Sequence, residues 1–289
     1  MRVLLTGASG FLGVHVLPLL EGHDVLCLTR NPGTMNHRAG VRAVAADLTS
    51  GGEWTREVAV FRPDWCLHLA WQGLPDYSLD ACRVNLDASL RLLDVTTKAG
   101  VKRVVVAGSC WEYGQATGAV GEETVPRDPG VFAATKQALL SVLDAVSRSA
   151  GVDYRWARIF FVYGPGQRPT SLLPSLHAAH AEGRAPEIRE PGTVQDFVHV
   201  DDVAAALVTL AACDAPSGVF NVGTGTPASV GSVVNRAARY YGAPQACDAS
   251  PGGGFWADMT RTTALTGWRA RIGLDAGIDS TLSALDGAA

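Results

Sequence analysis

A glycine-rich segment directly after a short apolar run is the feature that most constrains the fold. Residues 3–6 form the run, and the sequence Gly7-Ala-Ser-Gly10-Phe-Leu-Gly13 follows it and opens a helical pattern. Gly7 permits a tight turn, Gly10 lets the backbone approach a pyrophosphate, and Gly13 lets the helix pack closely on the strand. The N–H groups at the start of the helix then point towards the anion. Together, the strand, the loop and the helix predict a dinucleotide-binding unit.

Strand-like and helix-like segments alternate through most of the chain. Apolar runs recur at 25–29, 41–46, 65–70 and 103–107, which is typical of parallel strands buried on both faces. Helical periodicity covers 77–98, 131–149 and 274–286. In the second of these helices the residues expected to face inward are Leu139, Val142, Leu143 and Val146. The alternation predicts an α/β fold with a Rossmann-type doubly wound parallel sheet, whose first helix Pro18 should kink or end.

After residue 164 the long alternating segments give way to shorter ones. Glycine and proline interrupt the chain at 164–166, 191–192 and 251–254, so the regular elements become short. We therefore predict a dinucleotide-binding Rossmann domain over 1–164, with returning segments near 195–222. Residues 165–289 are expected to form mainly a smaller C-terminal substrate-binding lobe.

Composition excludes several kinds of partner. The formal net charge is −4, so neither nucleic acid nor a membrane is expected as a partner. A small-molecule substrate is expected instead. The six cysteines include no C-x-x-C pair, so no metal site is predicted. The chain opens directly into a strand-like run without a signal-peptide pattern, and with unpaired cysteines this predicts a cytoplasmic location.

The end of the second strand bears on the choice of cofactor. An acidic residue there would bond the ribose 2′-hydroxyl of NAD, but the chain has Thr29-Arg30-Asn31. Arg30 offers a planar fork of donors to a 2′-phosphate, although a solvated arginine explains it as well. We predict that NADP(H) is preferred and that NAD(H) is the alternative. Asp47, after the third strand, either faces the adenine or caps the next helix.

The sequence resembles the extended short-chain dehydrogenase/reductases, in particular the NAD(P)-dependent nucleotide-sugar epimerase/dehydratase family. The resemblance is carried by Gly7–Gly13, Asp47-Leu48, His68-Leu69-Ala70, Asn85, Ser109, Tyr113-Gly114, Lys136, the segments 163–166 and 196–202, and 220–223. It implies cofactor contacts at Gly7, Ser9, Gly10, Phe11, Leu12, Gly13, Thr29, Arg30, Asp47, Leu48, Leu69, Ala70 and Lys136. It also implies a homodimer formed through the helices at 77–98 and 131–149.

The resemblance implies a catalytic tyrosine and lysine four residues apart, on one face of a helix. Lys136 is present, but the tyrosine position holds Phe132, which has no hydroxyl. Ser109 is implied as the hydroxyl that bonds the reacting oxygen. Glu112, Tyr113 or a water held by Ser109 could replace the missing phenol as proton donor, although Glu112 is explained equally well as a solvated loop acid.

The substrate side departs from the resemblance at several positions. Dehydratase relatives place a glutamate where this chain has Trp111, and many relatives have asparagine and arginine where it has Phe161 and Gln195. If Trp111, Phe132 and Phe161 all face the substrate, they make a more apolar site, which strengthens any charge inside it.

These observations favour an NADPH-dependent reduction of a keto group on a nucleotide-linked or sugar-like metabolite. A nucleotide-sugar epimerase or dehydratase with tightly bound NAD and transient oxidation is the first alternative. A non-redox enzyme or cofactor-binding protein on a repurposed fold is the second, and Phe132 is the main argument for it.

Overall fold

The protein is described by a computed structural model that covers residues 1–35, 38–245 and 247–287. Its strands are β1 (Arg2–Thr6), β2 (Asp24–Thr29), β3 (Val41–Ala45), β4 (Trp65–His68), β5 (Arg103–Ser109), β6 (Gly118–Val120), β7 (Asp153–Ile159), β8 (Phe161–Tyr163), β9 (Val194–Gln195), β10 (Phe197–His199), β11 (Gly218–Val222), β12 (Ala228–Ser229) and β13 (Phe255–Ala257).

The α-helices are α1 (Gly13–Val16), α2 (Glu53–Phe61), α3 (Leu79–Lys98), α4 (Val131–Ala150), α5 (Leu172–Ala181), α6 (Val200–Ala212), α7 (Val230–Tyr240), α8 (Thr260–Thr266) and α9 (Leu274–Asp286). None of the helices in the described ranges is both long and apolar enough to cross a membrane.

Seven strands form one parallel sheet in the order β11-β7-β5-β4-β1-β2-β3. This confirms the predicted Rossmann-type doubly wound α/β fold. The chain starts in the middle of the sheet and winds outward in both directions, so the strand order reverses between β1 and β4. Ligands of such sheets bind at this reversal, beside the carboxyl ends of the strands. Gly7 and Leu69 directly follow β1 and β4, respectively.

Local sequence determines where several helices end. Pro18 has no N–H to donate, and α1 ends at Val16 and continues as a short 3₁₀ turn over Leu17–Leu20. Gly151 closes α4 in the left-handed conformation, and its N–H bonds to Ser147 O. One expected inward residue of α4 is wrong: Val142 is 39% exposed, because the buried stripe of the helix runs through Leu139 and Leu143 instead.

The chain divides into two compact units. The first contains 1–115, 125–158 and 204–220, and the second contains 116–124, 159–203 and 221–289. Residues 204–220 of the first unit lie within the segment near 195–222 that was expected to return to it, whereas 116–124 belong to the second unit although they precede residue 164. The first unit has a core of apolar side chains from the central strands, α3 and α4, including Leu4, Leu92 and Trp156. The second unit has its own core on α5, α7 and α9, including Leu173, Val233 and Ile278.

Candidate active site

The glycine loop after β1 forms a tight cradle. Gly7 has φ +74°, and a Cβ there would lie 2.9 Å from Ala70 N, so only glycine fits between the ends of β1 and β4. A Cβ on Gly13 would collide with Gly7 O, which explains the close approach of α1 to the loop. Gly10 N donates to Gly7 O at 2.9 Å and closes the turn.

Unused donors line this cradle. In the described part of the chain, the N–H groups of Phe11 and Leu12 find no acceptor, and the Ser9 side chain is exposed. Backbone donors without partners at such a turn are suited to an anion such as a pyrophosphate. The cradle and these donors therefore fit a dinucleotide.

The outer edge of the sheet carries the residues expected near the adenosine end. Arg30 is exposed directly after β2, and Thr29 is buried and its Oγ1 accepts the Asn31 N–H at 3.3 Å. The hydrogen bonds from the Thr49 hydroxyl and N–H lower the pKa of Asp47, and Arg30 adds to this. Asp47 thus stays an anion near Arg30, while the half-buried Leu48 packs against the core.

Lys136 is buried on α4, and its Nζ donates to Ala107 O at 2.9 Å. The ammonium also lies 4.1 Å from the centroid of the Trp71 ring, a cation–π contact. Burial lowers the pKa of Lys136 to about 8, although Glu112 and Cys82 act in the opposite direction. Lys136 is therefore protonated at neutral pH and loses its proton in mildly alkaline solution.

A chain of hydrogen bonds fixes His68 at the end of β4. Ser89 Oγ donates to Asn85 O at 2.7 Å, so it accepts from His68 Nε2 at 2.9 Å. His68 Nδ1 is left to accept the Thr6 hydroxyl at 2.8 Å. Thr6 Oγ1 in turn accepts the Ala70 N–H at 3.2 Å. Burial and the nearby Lys136 lower the pKa of His68 to about 3. The neutral imidazole holds the Leu69–Ala70 turn against the glycine cradle.

Ser109 ends β5, two residues after the Ala107 carbonyl that accepts from Lys136 Nζ. Its Oγ accepts the Trp111 N–H at 3.2 Å, and no acceptor in the described residues takes its hydroxyl hydrogen. The side chain is half-buried. Ser109 is thus left with one donor for an external oxygen.

Glu112 is not placed to give a proton. It is fully buried, and its Oε1 accepts the Ser109 N–H at 2.8 Å. Its oxygens also accept Trp156 Nε1 at 2.9 and 3.0 Å, and Oε2 receives Arg158 Nε at 3.0 Å. A carboxylate with donors on both oxygens and an ion-pair partner acts as an anion, so the hypothesis of Glu112 as an acid is corrected to a positioning role.

Tyr113 is not placed to give a proton either. Its side chain is fully buried, and the Arg158 guanidinium lies 4.5 Å from its ring centroid. Burial lowers the pKa of Arg158, but Glu112 and Tyr113 outweigh burial, so the pKa is raised overall. The phenol of Tyr113 therefore belongs to the interior, against the sequence hypothesis.

Three aromatic rings pack against Phe132, which holds the tyrosine position of the resemblance. Phe132 lies one helical turn before Lys136, and its ring centroid is 5.1 Å from Trp71, 5.2 Å from Tyr77 and 5.9 Å from Trp111. Trp111 is 43% exposed and packs against Tyr77 at 5.1 Å. The structure thus brings together Trp111 and Phe132 as expected, and adds Trp71 and Tyr77.

The remaining predicted substrate residues belong to the second unit. Phe161 packs against Phe197 and Phe255 at 6.3 and 5.9 Å. Gln195 is half-buried on β9 and pairs with Ala228 of β12. The neighbouring Asp196 is fully buried and accepts hydrogen bonds from Thr224, Gly225 and Ala257, as expected of a structural carboxylate. The role of Phe161 and Gln195 towards a substrate stays a prediction.

The sequence also matches a family of known proteins. The sequence profile of the family described as NAD dependent epimerase/dehydratase matches residues 3–223. The chain belongs to the NAD dependent epimerase/dehydratase family. This confirms the resemblance found in the sequence, and it makes the protein an oxidoreductase- or epimerase-like enzyme.

Relatives within the family act on nucleotide sugars. A UDP-glucose 4-epimerase of Mycolicibacterium smegmatis is 30% identical over 307 residues, covering 98% of this chain and 97% of the relative. A dTDP-L-rhamnose 4-epimerase of Burkholderia thailandensis is 28% identical and covers 96% and 93%. The solved structure of MoeE5 in complex with UDP-glucuronic acid and NAD has a TM-score of 0.86 at 32% identity, with both chains fully covered.

Four side chains of the site escaped the sequence analysis: Trp71, Tyr77, Trp156 and Arg158. Trp71 and Tyr77 lie in the irregular segment between β4 and α3, where no periodicity points to a neighbour. Trp156 and Arg158 lie on either side of Ala157 on β7. Arg158, a charged residue at a buried strand position, was the signal in the sequence that could have pointed to this pair. No group of three metal-ligating side chains occurs among the described residues.

Proposed function

We propose that this enzyme uses a nicotinamide dinucleotide to oxidise and reduce one carbon–oxygen centre of a nucleotide-linked sugar, with 4-epimerisation as its net reaction. The observation that carries the proposal is the glycine cradle with its unused backbone donors at Phe11 and Leu12. The Lys136 ammonium, which bonds to Ala107 O near the end of β5, adds to it. Full-length similarity to sugar-nucleotide 4-epimerases supports the substrate class.

In this mechanism the loop at 7–13 and the turn at Leu69–Ala70 hold the dinucleotide. The bound dinucleotide supplies a hydride acceptor and donor. Lys136 binds the ribose beside the reactive ring and stabilises negative charge that develops on the substrate oxygen. Ser109 donates its unshared hydrogen to the same oxygen and orients it. Trp111 and Phe132 exclude water around this oxygen, which strengthens both interactions.

A net reduction by NADPH is the second candidate, and Arg30 is the observation that favours it. The exposed guanidinium follows β2, where a 2′-phosphate would meet it, and no carboxylate follows that strand. Asp47 lies close enough to interact with Arg30 and opposes a second anion there. Relatives such as MoeE5 are described with NAD, which supports the epimerase reading.

The test separates the two candidates by the fate of the cofactor. The enzyme is incubated with UDP-glucose, UDP-glucuronic acid or dTDP-L-rhamnose and NAD, and the configuration at C4 is followed by NMR. Inversion without net NADH formation supports epimerisation. Net oxidation of NADPH by a UDP-4-keto-hexose, without inversion of any of these sugars, supports reduction instead. Failure of the protein to bind either dinucleotide in a calorimetric titration contradicts both.

Matched lysine variants locate the chemistry. Lys136→Met removes the buried ammonium, and we expect at least a hundredfold loss of turnover. Lys98→Met removes an exposed ammonium that pairs with Asp94 on α3, and it should leave turnover unchanged. Equal activity of the two variants would exclude Lys136 from the site.

We also propose that the protein is a homodimer that pairs α3 and α4. Apolar side chains on these helices are exposed in the single chain: Leu79 is 71%, Val131 is 47% and Val142 is 39% exposed. Single exposed apolar residues are ordinary, but three on adjacent helices fit a covered surface.

A further inference from the structure

We propose that the phenol of Tyr77 exchanges the proton with the reacting substrate oxygen, in place of the hydroxyl that Phe132 lacks. This inference rests on the function proposed above and assigns a catalytic residue to it. It is carried by the position of Tyr77 against Phe132 and by a hydroxyl that no protein group occupies in the described chain.

Tyr77 is held firmly although it lies outside regular structure. Gln72 begins its segment and exchanges two hydrogen bonds with Asn85 of α3, at 2.8 and 2.9 Å. Ser78 follows Tyr77 and caps α3 by accepting the Ala81 N–H at 3.3 Å. The thiol of Cys82 donates to Tyr77 O at 3.8 Å. The segment is therefore fixed to α3 at both ends, and the Tyr77 ring has a defined place.

The ring of Tyr77 packs against Phe132, which lacks the phenol hydroxyl implied by the resemblance. Its centroid is 5.2 Å from that of Phe132, at an interplanar angle of 65°, and 5.1 Å from that of Trp111. The Lys136 ammonium lies 5.8 Å from the centroid of the same Phe132 ring and 4.1 Å from that of Trp71, which also packs on Phe132. Trp111 follows Ser109 by two residues, and Phe132 precedes Lys136 by four, so the Tyr77 ring packs on one neighbour of each of these two groups.

No other phenol of the first unit is available for this role. Tyr113 is fully buried beneath Arg158. Tyr154 is buried, and its hydroxyl donates to Asp144 at 3.1 Å. Tyr77 is half-buried, and its hydroxyl has no hydrogen-bond partner in the described residues. A proton donor needs a free hydroxyl and access to water for reprotonation, and within that unit Tyr77 meets both conditions.

One proton moves between the Tyr77 phenol and the substrate oxygen in each direction of the reaction. In the reducing direction, the Tyr77 O–H bond breaks and a new O–H bond forms on the substrate oxygen, using the electron pair of the carbonyl π bond. The carbon receives hydride from the reduced nicotinamide, and the tyrosinate regains its proton from water. In the oxidising direction the tyrosinate accepts the proton of the substrate hydroxyl as the carbon gives up hydride. Lys136 remains protonated in both directions and stabilises the anions.

A crystal structure of the holoenzyme with NAD tests the geometry without any knowledge of the substrate. A reacting carbon lies about 3.5 Å from the nicotinamide C4, and its oxygen must reach a proton donor at about 3 Å. Tyr77 Oη is therefore expected within about 8 Å of C4, with Phe132 not between them. A phenol beyond that distance, or separated from C4 by the Phe132 ring, overturns the proposal. Failure to bind NAD would instead overturn the proposed function, and this inference with it.

Kinetics of matched variants give a second, independent readout on any of the probe sugars that the wild type converts. Tyr77→Phe should lower kcat at least a hundredfold, while KM and the Kd of NAD change less than threefold. Tyr154→Phe is the control and should keep kcat. Tyr77→Phe combined with Phe132→Tyr should recover at least tenfold of the lost kcat. A Tyr77→Phe enzyme with kcat within threefold of wild type, at normal thermal stability, overturns the role of Tyr77 and leaves the proposed function intact.

Discussion

Arg158 Nε lies 3.0 Å from Glu112 Oε2 in the interior of the protein, with both side chains almost completely removed from solvent. Two opposite charges that are buried together depend on one another, because either one alone is left uncompensated. Through Glu112 Oε1 this pair also fixes the backbone N–H of Ser109. The charge pair thus fixes the end of β5, which carries Ser109.

Removing one partner of this pair should destabilise the protein strongly. We expect Arg158→Met to lower the free energy of unfolding by about 3–5 kcal/mol in urea denaturation, because the Glu112 carboxylate loses its counterion. Arg148→Met breaks an exposed pair with Asp144 and should cost less than about 1 kcal/mol. A double variant with Glu112→Leu and Arg158→Met should regain stability relative to Arg158→Met; if it is less stable still, the charges are not coupled as the geometry indicates.

The affinity for the dinucleotide should fall in alkaline solution. The pKa of Lys136 is about 8, so the ammonium that would hold the ribose loses its proton above that pH. If only the protonated form binds well, Kd rises by up to about tenfold per pH unit above pH 8. Titrations of NAD between pH 7 and pH 10 measure this. The Lys136→Met variant should bind weakly and without this pH dependence, and an unchanged dependence in the variant would assign it to another group.

The stability of the protein should decrease in mild acid because of His68. Burial depresses its pKa from 6.5 to about 3, so between these values the unfolded chain binds a proton that the folded chain does not. Stability therefore rises with pH through that window and is fully present above pH 6.5, with a slope of at most about 1.4 kcal/mol per pH unit from this residue. His68→Gln should flatten the slope of the unfolding free energy, whereas the exposed His180→Gln should not.

Arg30 should discriminate between the two dinucleotides. We expect Arg30→Ala to weaken NADP binding by about tenfold or more, since a charge-assisted contact to the 2′-phosphate is lost. NAD binding should change less than twofold. Calorimetric titration of both cofactors measures the ratio of dissociation constants. Equal effects on the two would mean that Arg30 is a solvated side chain and that the site does not select for the phosphate.

A charge on the exposed face of α4 should separate the proposed dimer. Val142 is 39% exposed in the single chain, and Val142→Glu would place a carboxylate in the covered surface. The variant is expected to elute as a monomer in size-exclusion chromatography with light scattering, at unchanged thermal stability of the fold. Arg91→Glu, on the neighbouring α3 where the side chain is half-exposed beside Asp87, offers a second position. A wild type that is itself monomeric would contradict the proposal.

Features that depend on neighbours in the sequence could be predicted. The glycine loop, the end of α1 before Pro18 and the bounds of α3, α4 and α9 follow from spacing, capping and periodicity within each segment. Even there, one position failed: Val142 fits the apolar stripe of α4 by period, but the stripe that packs on the sheet is narrower.

Features that depend on distant neighbours could not be predicted. Glu112 has the sequence context of a loop acid, and only the arrival of Trp156 and Arg158, more than forty residues later in the chain, makes it a buried anion. Tyr77 likewise has no local pattern, and its contact with Phe132 joins two segments that the sequence separates by fifty-five positions. Side-chain chemistry at this site is therefore decided by packing between strands and helices and not within any one of them.

Gly108 shows how firmly this arrangement is locked. A Cβ at that position would lie 2.8 Å from Glu112 Oε1 and would collide with the indole nitrogen of Trp156. Any mutation that adds a side chain there must first displace the indole, and displacing the indole strips the carboxylate of a donor. A side chain at position 108 therefore becomes possible only once Trp156 has been replaced by a smaller residue, so the order of these two substitutions is constrained.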